Sequence, residues 1–168
     1  MDWKDIDTTH CGVLAATDLI GDRWSLLIVR DLLMGLSKFN DLQTHTGAST
    51  AILAKRLRVL SDAGLLEERH CKQPGQRGHT EYFLSRKGLG LAQIIGAMAQ
   101  FGYDELTLPQ RPLVEYRDAE TGQRVRLAAV REDGQQVAPE DVVIEVNPDA
   151  FSPKYRAPSS RERKKQPT

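Results

Sequence analysis

Between Ser49 and Leu65 the apolar residues follow a helical repeat, and the neighbouring elements can be placed around this stretch. At 100° per residue its leucines fall on one stripe with Gly64, whereas the opposite face carries Lys55 and Arg58. Ser49 suits the N-cap because its hydroxyl can accept from a backbone N–H two or three residues later. Gly64 suits the left-handed residue that ends a helix. The pattern predicts an amphipathic helix with a partly basic outer face.

Two further helices are predicted near the start of the chain. Cys11–Ile20 carries apolar residues at helical spacing. Trp24–Met34 is apolar on nearly all sides, which is typical of a helix in the middle of a core. Asp22 is placed to cap this second helix, and Gly35 to end it. The pattern therefore predicts a short helix followed by a core helix.

A third short helix precedes the amphipathic one. It is predicted to be capped by Ser37, to continue to about His45 and to lead into a tight turn at Thr46-Gly47-Ala48. Two helices joined by a glycine-containing turn of three or four residues form a helix-turn-helix arrangement. The helix with the basic outer face is the second of this pair.

After Gly64 the pattern changes from helical to extended. Leu66–Lys72 and Thr80–Leu84 have strand-like composition, and a loop rich in turn residues joins them. Lys72 and Arg77 make the tip of this hairpin basic. A helix-turn-helix followed at once by a hairpin predicts a winged helix, mainly α with a β-hairpin wing.

A long helix is predicted next, capped by Ser85 and ending at about Leu106. Its apolar stripe needs a covering partner, either the rest of the core or a second copy of the chain. We expect the second copy, with the Cys11–Ile20 helix contributing to the contact. The predicted dimer interface consists of Leu14, Leu91, Ile94, Ile95, Met98 and Phe101.

Prolines separate this helix from a segment of different character. Residues 107–150 contain short strand-like runs separated by turns, and they predict a small C-terminal antiparallel β unit. The predicted organisation is a flexible N-terminus at 1–10, a domain at 11–106, the β unit at 107–150 and a disordered basic tail at 151–168. The strand-like runs are Leu113–Arg117, Arg124–Val130, Gln135–Val137 and Val142–Val146.

Composition narrows the possible classes of protein. The formal net charge is zero, so the chain as a whole is no polycation. Its apolar runs are too short to span a bilayer, and residues 1–10 lack the apolar core of a signal peptide. Two cysteines, Cys11 and Cys71, do not make a disulfide framework or a four-ligand zinc site. We therefore expect a cytoplasmic protein with reduced thiols and with no membrane contact, cofactor or metal.

Many of these positions together resemble the HxlR-type winged-helix regulators, a family related in fold to MarR. The resemblance covers about residues 11–104 and implies a homodimeric DNA-binding regulator with the Ser49 helix as its reading helix. Gly12, the long basic wing tip and Phe101-Gly102 depart from the family pattern without removing a DNA-binding group. The resemblance is carried by Cys11, Leu19 to Trp24, Leu27-Ile28, Arg30 to Leu32, Gly35, Phe39 to Leu42, Leu53, Arg56-Leu57, Leu60, Gly64-Leu65, Tyr82, Leu84-Ser85 and Lys87-Gly88.

Within such a fold, the outer face of the reading helix is the predicted contact with double-stranded DNA. Lys55 and Arg58 point outward and are the candidates for base edges, because Arg and Lys pair with guanine. Ser49 and Thr50, at the helix N-terminus, can hold a phosphate. Arg56 lies on the flank, which favours a phosphate contact or an intramolecular ion pair. The complete predicted set is Ser49, Thr50, Ala51, Lys55, Arg56, Arg58, Lys72 and Arg77, the last two contacting backbone or minor groove.

Two other classes of function, and the signal that the protein responds to, are also considered. An enzyme is disfavoured, because adjacent His10 and Cys11 would point about 100° apart on a helix. A winged helix that binds protein instead of DNA remains an alternative, although such modules tend to lose the outward cations.

Cys11 is a candidate sensor of oxidants or electrophiles, or else a small side chain packed under Trp24. A small ligand bound between the β unit and the helices is the other candidate effector of a predicted repressor.

Overall fold

The computed structural model describes residues 8–9, 11–72, 78–106 and 114–145. The helices are α1 (Gly12–Ile20), α2 (Arg23–Leu33), α3 (Phe39–Thr46), α4 (Thr50–Asp62), α5 (Arg86–Leu89) and α6 (Leu91–Glu105). The strands are β1 (Leu66–Cys71), β2 (His79–Leu84), β3 (Ala129–Val130) and β4 (Gln136–Val137), and a short 3₁₀ helix follows at Pro139–Asp141. The predicted mainly α fold with a winged helix-turn-helix is confirmed.

The core lies where α2, α3 and α4 meet. Ile28, Leu42, Leu53 and Leu60 are fully buried there. Burying an aliphatic side chain of this size contributes about 2–3 kcal/mol relative to leaving it exposed. The apolar stripe of α4 is therefore what fixes its opposite, polar face toward the outside.

Local signals begin and end these helices as the sequence predicts. The Asp22 carboxylate accepts from the backbone N–H groups of Trp24 and Ser25 at 3.0 and 3.1 Å. Gly35, with φ +90°, follows the end of α2. Gly64, with φ +69°, is the left-handed residue just after α4, where a side chain would be strained.

Ser37 is not the cap of α3, so that prediction is wrong. Lys38 occupies the N-cap position and makes no side-chain capping bond. The backbone of this segment is used by the wing instead. The Ser37 carbonyl accepts from Tyr82 N–H at 2.8 Å, and Lys38 forms an isolated antiparallel bridge with Glu81. The segment before α3 thus extends the β1–β2 hairpin on one side, which side-chain capping preference alone does not reveal.

The long helix predicted from Ser85 is divided in two. Ser85 caps the short α5 by accepting from Gly88 N–H, and Gly90 separates α5 from α6. Gly88 lies so close to the end of α4 that an added Cβ would come within 2.1 Å of the Leu65 carbonyl oxygen. The tight approach explains why a residue without a side chain occupies this position.

Described residues between Tyr116 and Leu127 contact α6. Gln100 exchanges two hydrogen bonds of 3.1 Å with the Leu127 backbone, and Tyr116 lies against Gly96. Residues 11–127 accordingly form one compact unit. The predicted domain boundary after residue 106 stays a prediction.

The second compact unit comprises residues 1–10 and 128–168, of which 8–9 and 128–145 are described. In it β3 and β4 pair antiparallel, with Ala129 opposite Val137. Residues 142–145 form no strand, so the strand predicted at Val142–Val146 is wrong over its described part. Ile144 is 97% exposed there, and no strand of the described chain lies beside it to pair with. The predictions for residues 1–7 and 151–168 lie outside the described residues.

None of the helices in the described part of the chain is long and apolar enough to cross a membrane.

Candidate nucleic-acid interface

The start of α4 is held by two polar contacts. The Ser49 hydroxyl accepts from Ile52 N–H at 3.3 Å, as its capping role predicts. Gln43 of α3 donates to the Thr50 hydroxyl at 2.8 Å, joining the two helices of the helix-turn-helix. Ser49 and Thr50 themselves are exposed. The structure therefore places a capped, solvent-facing helix N-terminus where the sequence predicts a phosphate contact.

The outer face of α4 presents Ala51, Lys55 and Arg58, all exposed. The Arg58 side chain is 85% exposed and has Asp62 one turn later, with Nε and Oδ2 3.7 Å apart. An ion pair this exposed restrains the arginine weakly, because solvent screens it. Both long cations on this face are thus available to a polyanion.

Arg56 has a different role from its two neighbours. Its Nε lies 3.1 Å from Asp22 Oδ1, and its side chain is only 28% exposed. Burial alone would raise the pKa of Asp22, but hydrogen bonds from Ser25 and Trp24 and the charge of Arg56 together hold it below its usual value. Of the two roles that the sequence leaves open for Arg56, the geometry shows the intramolecular ion pair, which ties α4 to the start of α2.

The wing supplies a further described cation. Lys72 is exposed immediately after β1. Arg77 lies outside the described residues, so its predicted contact stays a prediction. On β1, the Arg69 guanidinium stacks over Phe83 at 4.3 Å from the ring centroid. Arg69 is therefore engaged with the sheet, which leaves Lys72 as the wing cation directed at solvent.

The C-terminal end of α4 is fastened to the segment that leads into α6. The Ser85 hydroxyl donates to the Gly64 carbonyl at 2.7 Å, and Lys87 Nζ donates to the Ala63 carbonyl at 2.8 Å. These bonds satisfy carbonyls that the helix end leaves without partners, and the lysine charge suits the negative end of the helix dipole. The orientation of α4 is thus set at both of its ends.

A buried polar cluster supports the helix-turn-helix and was missed from the sequence. Asp31, fully buried on α2, accepts from Arg30 Nε at 2.8 Å and lies 2.8 Å from His45 Nδ1 on α3. The sequence signal for this cluster was an aspartate in a largely apolar helix, because a buried carboxylate needs hydrogen-bond or ion-pair partners. The cluster joins α2 to α3, so its role is structural.

Four of the six residues predicted for the dimer interface are exposed in the structure, and two are not. Leu14, Ile94, Met98 and Phe101 are exposed, and Phe101 keeps 59% of its surface in solvent. Leu91 and Ile95 instead pack against the buried core. Val13, which the sequence reasoning omitted, is among the most exposed apolar residues of α1. Val13, Ile94 and Met98 line an open apolar cavity of about 400 Å³ between α1, α2 and α6.

Neither cysteine forms a disulfide in this structure. Cys11 is half-buried at the N-cap of α1, where its side chain makes no capping bond. Cys71 is half-buried at the end of β1. Cys11 therefore sits beside α1, the helix that carries Val13 and Leu14 of the exposed apolar face.

Comparison with known proteins agrees with this geometry. A family model described as HxlR-like helix-turn-helix matches residues 19–111. The uncharacterized HTH-type transcriptional regulator Rv3095 of Mycobacterium tuberculosis is 30% identical over 135 residues, or 79% of this chain and 84% of the relative. The crystal structure of PA1607, a candidate transcription factor, has 35% identity and a TM-score of 0.69, covering 83% of this chain and 96% of that one.

A redox protein is also among the similar solved structures. The redox regulator HypR in its oxidized form shares 25% identity with a TM-score of 0.51, over 55% of this chain and 94% of that one. The family match spans more than half of the chain, and the matched residues include α3 and α4. The chain therefore belongs to the HxlR-like helix-turn-helix family of transcriptional regulators.

Proposed function

We propose that the chain is a cytoplasmic repressor that binds a palindromic DNA operator as a homodimer, with α4 in the major groove. The observation that carries the proposal is the outer face of α4, where Lys55 and Arg58 are exposed on a helix anchored at both ends. A rigid helix with free cations can place them against base edges at a fixed register. Lys72 of the wing then contacts the sugar-phosphate backbone.

The homodimer is supported by the exposed apolar residues on α1 and α6. Val13 and Phe101 are largely exposed in the single chain and Met98 is about half exposed; Val13 and Met98 also line an apolar cavity. A clustered apolar surface of this kind is typical of an interface. A two-fold axis through this face gives two copies of α4, which bind half-sites about one DNA turn, roughly 34 Å, apart.

Cys11 is the proposed input to this regulator. It begins α1, beside the apolar face, and a thiolate at this position is open to oxidants and electrophiles. The redox regulator HypR is similar in structure to this chain, which supports a thiol-based signal. An adduct on Cys11 displaces α1 in the dimer and with it the spacing of the two reading helices. A small ligand is the competing proposal for the effector.

The test is selection of bound duplexes from a random pool, followed by titration of the selected operator. Lys55→Ala and Arg58→Ala are each expected to cost about 1–3 kcal/mol and to relax sequence preference. Lys72→Ala is expected to weaken binding to all sequences alike and to reduce the salt slope by about one unit at most. Arg86→Ala, which removes an exposed arginine of α5, is the matched control.

Two outcomes contradict the proposal. Failure of the wild-type protein to select any duplex favours the alternative, a winged helix that binds another protein. Equal, sequence-blind losses from all three interface variants contradict the division between base-reading and backbone contacts. The sign of regulation is measured by transcription in vitro from a promoter that carries the selected operator.

A further inference from the structure

Three side chains with metal-binding atoms converge where the β1–β2 hairpin opens into its loop. They are Cys71 on β1 and His79 and Glu81 on β2, and their ligand atoms all lie within 4.8 Å of one another. His79 Nε2 and Glu81 Oε1 are 3.2 Å apart. Two ligands bound about 2.1 Å from a tetrahedral zinc ion are separated by about 3.4 Å, so this pair already has the required spacing.

The register of the hairpin accounts for the convergence. Cys71 is directly opposite His79, and residues opposite each other in an antiparallel pair project from the same face. Glu81 is two residues after His79 and therefore lies on that face as well. The opposite face carries Leu66, which is part of the core. The cluster is thus on the outward face, where an ion can reach it.

The arginine that faces the cluster across the hairpin has other partners. Arg69 is opposite Glu81 in the register, but its guanidinium stacks over Phe83 and pairs with Glu67 at 3.7 Å. The Cys71 thiol makes a weak contact of 3.9 Å with the Arg69 carbonyl, which leaves the sulfur free to turn toward a metal.

In contrast to the expectation of no metal from the sequence, we propose that Cys71, His79 and Glu81 bind one zinc ion, with a water molecule as the fourth ligand. Thiolate, imidazole and carboxylate are all zinc ligands, and the sulfur disfavours magnesium and calcium. Binding replaces the S–H bond of Cys71 by an S–Zn bond, and the proton is released to solvent. The two negative ligands balance the charge of the ion, so the site remains neutral beside the basic wing.

Bound zinc would act as a clasp, a metal-dependent link between the two strands of the wing. Zinc joins the last residue of β1 to the first of β2, and Lys72 follows the clasp directly. This consequence for DNA rests on the proposed function: a fixed hairpin end holds Lys72 at a constant position relative to α4. Metal binding itself is independent of DNA and is tested without it.

The test is titration of the full-length reduced protein with Co²⁺, followed by displacement with Zn²⁺. The wild type is expected to bind one ion per chain, with a thiolate-to-cobalt absorption band in the near ultraviolet and tetrahedral bands in the visible. Cys71→Ser and His79→Gln are each expected to lower zinc affinity by at least about 100-fold. Loss of a residue that only hydrogen-bonds to a metal ligand costs about 10–100-fold. Glu81→Gln is expected to weaken binding by about 10-fold or more.

Cys11→Ser is the matched control, because it removes the other cysteine and is expected to keep the cobalt spectrum and the affinity. Circular dichroism of each variant establishes that the fold is retained. Absence of the thiolate band in the wild type overturns the proposal, as does a band that is lost in Cys11→Ser and retained in Cys71→Ser. Operator titration with and without zinc then measures the clasp, and failure of DNA binding alone bears on the proposed function, not on the site.

Discussion

The ion pair between Asp22 and Arg56 is expected to contribute to stability and not to operator sequence preference. Asp22→Asn is the informative change, because asparagine is also a good N-cap and can still accept from Trp24 and Ser25. It removes the charge that faces Arg56 at 3.1 Å. Asp22→Ala removes both the capping bonds and the ion pair.

The magnitude follows from the burial of the two groups. Both side chains are largely shielded, at 28% and 23% exposed, so we expect their interaction to lie in the upper part of the 0.2–1 kcal/mol range of exposed pairs. We expect Asp22→Asn to cost about 1 kcal/mol. Asp22→Ala also loses a cap worth about 1 kcal/mol and is expected to cost about 2–3 kcal/mol in all. A protein of this size then melts about 2–4 °C lower for each kcal/mol lost.

The dependence on pH has a definite sign. The folded-state pKa of Asp22 is lowered, so its contribution is fully present above the ordinary aspartate pKa of about 3.9. The contribution is lost as pH falls through the lower folded value. The difference in unfolding free energy between wild type and Asp22→Asn should therefore be constant near neutrality and shrink in acid below about pH 4.

Urea unfolding of wild type, Asp22→Asn, Arg56→Gln and the double variant forms a cycle that isolates the pair. We expect a coupling of about 0.5–1 kcal/mol, with the operator preference of Arg56→Gln unchanged. A coupling under about 0.3 kcal/mol, the level of independent sites, would show that the pair is absent in solution. A relaxed operator preference in Arg56→Gln, equal to that of Arg58→Ala, would refute the structural role.

Three other predictions concern packing, assembly and the thiol. Gly88→Ala places a Cβ 2.1 Å from the Leu65 carbonyl oxygen and should lower the free energy of unfolding by more than about 3 kcal/mol, measured by thermal unfolding. Gly12→Ala adds a Cβ in open space and should be nearly neutral; equal effects contradict the close approach. The double variant Met98→Glu, Phe101→Glu should be monomeric by light scattering where wild type and Val130→Glu are dimeric, and a monomeric wild type at micromolar concentration refutes the interface. Diamide or an electrophilic quinone should release wild type and Cys71→Ser from the operator but not Cys11→Ser; release at the same dose from all three shows that Cys11 is structural.

Sequence patterns were sufficient where the interaction is local. The stripe of Leu53, Leu57 and Leu60 predicted α4, and Asp22 and Ser49 predicted their caps, because these signals act within a few residues of the chain. The outward direction of Lys55 and Arg58 followed from the same periodicity. The core helices and the outward face of α4 could therefore be predicted from helix geometry.

The errors fall where partners are distant in sequence. Ser37 has the properties of a cap, but its carbonyl pairs with Tyr82 more than forty residues later. Val142 and its neighbours have strand-like composition, but a strand needs a partner, and composition does not supply one. The cluster at Cys71 became visible with the hairpin register, which places Cys71 opposite His79 across a loop. Pairing of this kind is decided by the whole fold and not by local preference.

The fastening of α4 to the Ser85–Gly88 turn has a mechanical consequence. Three bonds and one backbone contact join α4 to the α5 segment at Ala63, Gly64 and Leu65. Only Gly90 separates α5 from α6, so we expect α4 and the start of α6 to rotate together. The 13 residues of α4 make a lever of about 20 Å, measured from this joint to the exposed Ser49 end. A rotation of α6 by about 5° moves that tip by about 2 Å, which exceeds the tolerance of a hydrogen bond to a base. A disturbance at the base of α6 is thus amplified at the opposite end of the reading helix.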